Sequence, residues 1–425
     1  MRTTTPPPAY TLAALTLVGA LTVVDRQILS MLMPPIKADL GLSDSQLGFL
    51  SGLSFALFYA FFSLPIAALA DRTSRKWVVV ASLAAFSTLT AACGAAASYV
   101  QLLAARFGVA IGEAGVYPAA HSMISDLAPA ARRARAMGIF SLSVPAGMFI
   151  GMFAGGWIAQ FHGWRAAFFA VGLPGLLVAA WLGWWMREPR REAAAGAAER
   201  IPLAQAWQVL RARRAIRHIV LGNALVVFSN ASLAIWMPTY LQRTFDLGLH
   251  VIGTAMALMA GVAGAAATYL SGWGADRLGR RDLRWNMWLP CLALAAVLPA
   301  NIVVLTTGSP AVALAALVIP VSCGAYHSPP SYAMLQGLVP PRMRALVTAV
   351  LFFFINVVGM GLGPQLVGLL SDWLAQPAGA DALRWAMLGL VAPGAWGAIH
   401  FALAARSLRA DWAVAAGEAQ PAAGG

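Results

Sequence analysis

Four ionisable residues stand where the neighbouring sequence is almost wholly apolar: Asp25 and Arg26 in one stretch, Arg106 and Glu113 in another. A charge in hydrocarbon is costly, so each of these is a functional candidate by default. A carboxylate in such a place can hold a proton near neutral pH, because loss of water disfavours its charged form while a nearby cation favours it. Asp25 is the first choice for a proton-coupling group and Glu113 the second. Arg26 and Arg106 are permanent cations whose planar fork suits a carboxylate, phosphate or sulfate group. Arg106 and Glu113 are seven residues apart and face the same side of a helix. About 10 Å of rise separates them, so Glu113 is expected to pair with Arg26. The same four residues also suit a plain lock between two helices, although buried pairs contribute little net stability.

Milder polar groups recur later in the chain. Asn223 and Asn230 are seven apart on one helical face, with Ser229 beside them. Tyr326, His327, Ser328, Ser331 and Tyr332 surround the pair Pro329-Pro330, and prolines within a span are tolerated where protein or a water-filled cavity re-satisfies the backbone. Arg26, Arg106, Tyr117, Asn223, Asn230, Tyr326, His327 and Ser331 form the candidate substrate-binding set. The alternative for the uncharged members is ordinary hydrogen bonding between helices.

The elements that must position these residues are transmembrane helices. Apolar residues make up 60% of 425 positions and charged residues 11%, against roughly 25% charged in soluble domains. Stretches long enough to cross a hydrocarbon core of about 30 Å recur near 9–33, 46–70, 77–97, 101–125, 136–160, 165–186, 216–240, 251–273, 285–306, 311–336, 344–370 and 384–406. The fold class is therefore an all-α membrane protein of twelve spans, with no room for a soluble catalytic domain. The first span is read as a retained helix, since no cleavage signature follows it. A net charge of +13 would suit nucleic acid, but most basic residues fall in alternate connections, as the positive-inside rule requires. Both termini are then cytoplasmic, in an inner membrane of bacterial type, and no nucleic-acid partner is expected. Cys93, Cys291 and Cys323 are dispersed within spans, which argues against disulfides and metal sites. No cofactor, metal motif or catalytic triad is expected, and the chain is not read as an enzyme.

An internal repeat organises the whole. Ala70-Asp71-Arg72-Thr73-Ser74-Arg75-Lys76 follows the second span, and Ala275-Asp276-Arg277-Leu278-Gly279-Arg280-Arg281 follows the eighth. Glycine rows at Gly147, Gly151 and Gly155 echo Gly359, Gly363 and Gly368. Two six-helix halves follow, 1–186 and 216–410. Residues 187–215 form a cytoplasmic linker in which Leu203, Trp207 and Leu210 suggest an interfacial helix, and 411–425 is expected to be a disordered tail.

At these motifs the chain resembles the major facilitator superfamily, whose loop pattern G-x-L-x-D-R-x-G-R-[KR] the second copy matches closely. Ala67 and Ser74 depart from it in the first, and Met152 replaces the proline of the superfamily's antiporter motif. A narrower resemblance, to the Spinster family of lysolipid and sphingolipid transporters, rests on Asp25-Arg26, Leu47-Gly48-Phe49-Leu50-Ser51-Gly52, Arg106 with Gly112-Glu113-Ala114, Gln336 to Arg344 and Gly361-Leu362-Gly363-Pro364. The resemblance implies two pseudo-symmetric halves, alternating access, spans one, four, seven and ten around a central cavity, and proton-linked movement of an amphiphile. It makes Asp71, Arg72, Arg75, Asp276, Arg277 and Arg280 gating residues that hold the inside closed. The expected partners are an amphiphilic or organic anionic molecule, protons and the bilayer, with the protein acting as a monomer. Multidrug or small-solute transport stays open, as does a non-transporting sensor or an energy-independent scramblase.

Overall fold

In hydrocarbon a backbone amide has no partner but its own helix, so each apolar run folds as one. The computed structural model describes residues 8–189, 208, 211–340 and 343–419. Among these, nine helical segments are long and apolar enough to cross a membrane. Two of them, Arg135–Trp185 with 51 residues and Leu346–Ala415 with 70, are too long for one crossing. Each is interrupted by a glycine with a backbone angle that side chains resist, Gly163 at φ 82° and Gly379 at φ 56°. A further helical stretch, at 99–127, carries Arg106 and Glu113. Counted so, the described residues are consistent with twelve crossings. We number them α1 (Pro8–Leu40), α2 (Asp44–Arg72), α3 (Arg75–Gly94), α4 (99–127), α5 (135–162) and α6 (164–185). Then come α7 (Arg214–Phe245), α8 (Leu249–Gly279), α9 (Trp285–Thr306), α10 (310–337), α11 (346–378) and α12 (382–419).

Local sequence explains the helix starts. Ser43 and Gln46 form a reciprocal capping box that opens α2, with the Gln46 amide donating to the Ser43 hydroxyl at 3.1 Å and the Ser43 amide to Gln46 Oε1 at 2.9 Å. Ser74 and Ser98 cap α3 and α4 in the same position. Three irregularities matter later. A π-helical turn, Phe49–Leu53, resets the phase of α2 immediately before Phe55. In α4, the helices Tyr99–Glu113 and Val116–Leu127 are offset directly after Glu113. The two helices of α10, Pro310–Cys323 and Ser328–Gly337, are interrupted just before the double proline.

The helices form two compact units, each with its own apolar core. The first holds α1–α6 together with Met237–Val262, and the second holds the remainder of α7 and α8 with α9–α12. Leu15, Val79, Leu83, Phe86 and Met123 lie in the core of the first. Ile216, Leu294, Leu351 and Phe401 lie in that of the second. These units differ from the halves read off the repeat in the stretch Met237–Val262, where the Leu249 amide donates to Gln160 Oε1 at 2.7 Å and Arg243 pairs with Asp44.

The disordered tail expected from residue 411 needs correction. Helix continues to Ala419. Asp411 Oδ2 accepts from the Ala215 amide at 2.6 Å, capping the start of α7, and Trp412 packs against the second core. The proposed interfacial helix at Leu203, Trp207 and Leu210, and the chain beyond Ala419, lie outside the described residues.

Candidate functional site

Asp25 and Arg26 are neighbours on α1, so their side chains leave the helix about 100° apart. The pairs they make with α4 are crossed. Arg106 Nη1 donates to Asp25 Oδ2 at 2.7 Å, and Arg26 Nε donates to Glu113 Oε2 at 2.6 Å. The second of these is the pair expected from the spacing on α4. Burial is nearly complete for three of the four: Asp25 and Glu113 are 0% exposed, Arg106 2%, and only the Arg26 side chain, at 23%, reaches the surface.

The two pairs differ in how fully they are satisfied. Asp25 has both oxygens filled, because the Thr90 hydroxyl of α3 donates to its Oδ1. Among the described residues, Glu113 Oε1, Arg26 Nη2 and Arg106 Nε are buried without a hydrogen-bond partner. Such groups are rare in folded proteins, and each calls for a reason. Aromatic rings from α2 cover the cations. The Arg26 guanidinium carbon lies 4.7 Å from the ring centres of both Phe55 and Tyr59, and that of Arg106 lies 5.4 Å from Phe55. Tyr117, one turn past Glu113, turns its ring edge to Phe140 at 5.7 Å.

The milder candidates of the second unit gather around the break in α10. Asn223 accepts from the Ser331 hydroxyl at 3.1 Å and donates to the Ile219 carbonyl at 2.8 Å, entirely buried. Asn230 donates to the Gly324 carbonyl at 3.2 Å, tying α7 to the irregular turn. The Tyr326 carbonyl accepts from Ser271 at 2.5 Å. His327 is 5% exposed, lies beside Phe401 and has no partner at Nε2 among the described residues. Asn223, Asn230 and Ser331 thus use their polar groups to hold helices together.

At the α2–α3 connection the buried residue is Arg75, not Asp71 or Arg72. Its guanidinium donates to Asp126, to Ser122 at 3.1 Å, to Glu188 at 3.3 Å and to the Pro189 carbonyl at 3.1 Å. Glu188 also accepts from the Arg75 amide at 2.8 Å and from the Ser74 hydroxyl. Partial burial pushes the Glu188 carboxyl up, but these donors outweigh it and hold it below the usual carboxylate range. Asp71, Arg72, Asp276, Arg277 and Arg280 are exposed and have no ion pair among the described residues, though Arg277 lies over Trp273 at 5.6 Å.

Sequence reasoning missed Thr90, Phe55, Tyr59 and Asp44. A hydroxyl and two rings in apolar spans carry no signal of their own. Asp44, 3% exposed, collects Lys37 at 2.5 Å and a bidentate Arg243 at 2.7 and 2.8 Å. Its position one residue past the cap of α2 was the available hint.

A family model described as Major Facilitator Superfamily matches residues 15–364, a range that holds the crossed pairs on α1 and α4 and both Asp-Arg loops. The chain belongs to the major facilitator superfamily. It is thus a multi-pass membrane transporter and not an enzyme. An MFS-type efflux pump of Mycolicibacterium smegmatis is 34% identical over 407 residues, covering 93% of this chain and 92% of the relative. A probable L-galactonate transporter of Escherichia coli is 29% identical over 60% of this chain and 58% of its own length. Among solved structures, a bacterial homolog of the human lysosomal transporter Spinster, inward-facing and occupied, is 29% identical with a TM-score of 0.83, over 96% of this chain and 99% of that one.

Proposed function

We propose that this transporter carries an organic anion coupled to protons by alternating access, with Arg26 as the anion's anchor and Glu113 as the proton carrier. The Arg26–Glu113 pair is the observation that carries the reading. It is a buried carboxylate with one free oxygen, joined to the most accessible of the four charged side chains. An anion arriving at Arg26 competes with Glu113 for the guanidinium. Glu113 then needs a new counter-charge, and a proton supplies it. The cluster keeps the same net charge whether it holds Glu113 on Arg26 or an anion on Arg26 with a proton on Glu113. Anion and proton are therefore loaded together.

Of the two acids, sequence placed Asp25 first. The geometry favours Glu113, since Thr90 and Arg106 already occupy both Asp25 oxygens and no anion need displace either. The relation to the L-galactonate transporter supports an anionic substrate. The charge asymmetry supports cytoplasmic termini, and the protein is expected to work as a monomer.

Proton release and uptake on ligand binding, read with a pH dye in weak buffer, test the assignment. Glu113→Gln is expected to bind substrate with no proton uptake and to lose the dependence of transport on a pH gradient. Asp25→Asn is expected to keep that dependence. A Glu113→Gln protein that still follows the imposed gradient as the native one does would exclude Glu113 as the carrier.

A further inference from the structure

The residues around Arg26 define what the rest of the anion is made of. Phe55, Phe58, Tyr59 and Phe62 recur at three- and four-residue spacing, so they form one aromatic row on one face of α2. None is fully buried. Within each pair one turn apart the planes are nearly parallel: Phe55 and Tyr59 are inclined by 15° with centres 5.9 Å apart, and Phe58 and Phe62 by 11° at 6.4 Å. Phe58 is also stacked on Phe107 of α4 at 4.1 Å and 20°. The Arg26 guanidinium, itself flat, lies over the first two rings. The row begins beside the anion's anchor and extends for about 10 Å along the helix.

We propose that this row is a stacking platform and that the substrate is a flat aromatic carboxylate, with its charge on Arg26 and its ring system against Phe55 and Tyr59. This rests on the reading of Arg26 as the anion's anchor. An alkyl chain gains only in proportion to the apolar area it buries and is indifferent to ring orientation. Parallel rings and a guanidinium plane add an offset-stacked contribution that only another flat group collects. The π-helical turn ahead of Ser54 makes the platform possible, because it sets the phase that turns Phe55 and Tyr59 toward α1. Phe55 and Tyr59 are then specificity-determining residues.

The test uses the full chain in detergent and equilibrium dialysis with three probes: 2-naphthoate, decanoate and 2-naphthamide. Naphthoate is expected to bind about tenfold more tightly than decanoate, the gain expected from stacking on two rings, and naphthamide much more weakly than naphthoate. Phe55→Leu and Tyr59→Leu keep an apolar side chain and should each reduce the naphthoate-to-decanoate ratio. Decanoate binding as tightly as naphthoate in the native protein overturns the aromatic assignment and leaves the anion site standing. A ratio unchanged in the Phe55→Leu/Tyr59→Leu protein also overturns it. Naphthamide binding as well as naphthoate would instead sink the Arg26 reading on which the proposal rests. The native comparison needs no variant, so a variant that fails to fold does not leave the question open.

Discussion

Replacing Arg106 by methionine should separate the two ion pairs energetically. Arg106→Met keeps a long apolar side chain in the same space but strips Asp25 of the cation paired with it. Asp25 is 0% exposed and Arg106 2%, so solvent cannot replace the lost partner. Removing one member of a buried pair costs about 3–5 kcal/mol. At about 2–4 °C per kcal/mol for a unit of this size, the melting temperature should fall by roughly 6–20 °C. Asp25→Asn combined with Arg106→Met removes the stranded charge, and the new amide oxygen can still accept from Thr90. Most of the loss should therefore return in the double variant, because the cost lies in the unpaired carboxylate rather than in lost attraction. Arg26→Met should cost less than Arg106→Met: the Arg26 side chain is 23% exposed, and Glu113 already tolerates one unfilled oxygen. Thermal unfolding of the three purified proteins, followed by intrinsic fluorescence, gives the ranking. An Arg106→Met protein within a degree or two of the native one would refute the reasoning. So would a double variant as unstable as the single.

Three further outcomes follow from other contacts. A Cβ at Gly156 would meet the Leu249 carbonyl oxygen at 2.4 Å and the Gly253 Cα at 3.0 Å, both backbone, so Gly156→Val should dislodge this part of Met237–Val262. A cysteine at the buried position Ile252 should then react with an aqueous maleimide, and unchanged protection would contradict the close contact. The Glu188 carboxyl is held low, so its stabilisation is present above the unfolded value of about 4.3 and is lost as pH falls through the folded value. The stability gap between native protein and Glu188→Gln should thus be constant from about pH 8 to 5 and close in stronger acid; a gap that closes near neutrality would mean that Glu188 is not so held. Arg280→Cys, in an exposed connection, should resist an impermeant maleimide in intact cells and react in inverted vesicles, and the opposite pattern would reverse the proposed orientation.

Charge in an apolar run is a loud signal, which is why Asp25, Arg26, Arg106 and Glu113 were legible from sequence alone. The Arg26–Glu113 pair was legible too, because the rise over seven residues takes Arg106 out of Glu113's reach and leaves Arg26 as its partner. Thr90 was not, since a lone hydroxyl in a span acquires meaning only when α3 is known to lie beside α1. Phe55 and Tyr59 were hidden for the opposite reason: aromatic residues in a span are what membrane helices are made of. The duplicated Asp-Arg loops drew attention to Asp71 and Asp276. The structure gives the buried network of that region to Arg75, whose partners Asp126 and Glu188 lie more than fifty residues away and carry no local pattern. The helical tail was not legible because a run of small residues reads as disorder, whereas alanine is the best helix former once Asp411 and Trp412 anchor the chain.

The crossing of the two pairs bears directly on how a carrier could exchange a proton without coming apart. α1 and α4 are joined twice, and the joints are chemically unequal. Asp25–Arg106 is sealed on every oxygen by α3 as well as α4, so it holds the helices together whatever happens beside it. Arg26–Glu113 is left with free valences on both partners and with the more accessible cation. In the proposed cycle an anion takes Glu113's place on Arg26 and a proton takes Arg26's place on Glu113, while the first pair keeps the helix contact. A single pair asked to do both would have to separate the helices each time it exchanged a partner. With two, the structural duty and the exchange duty fall on different residues, one position apart on α1 and two turns apart on α4.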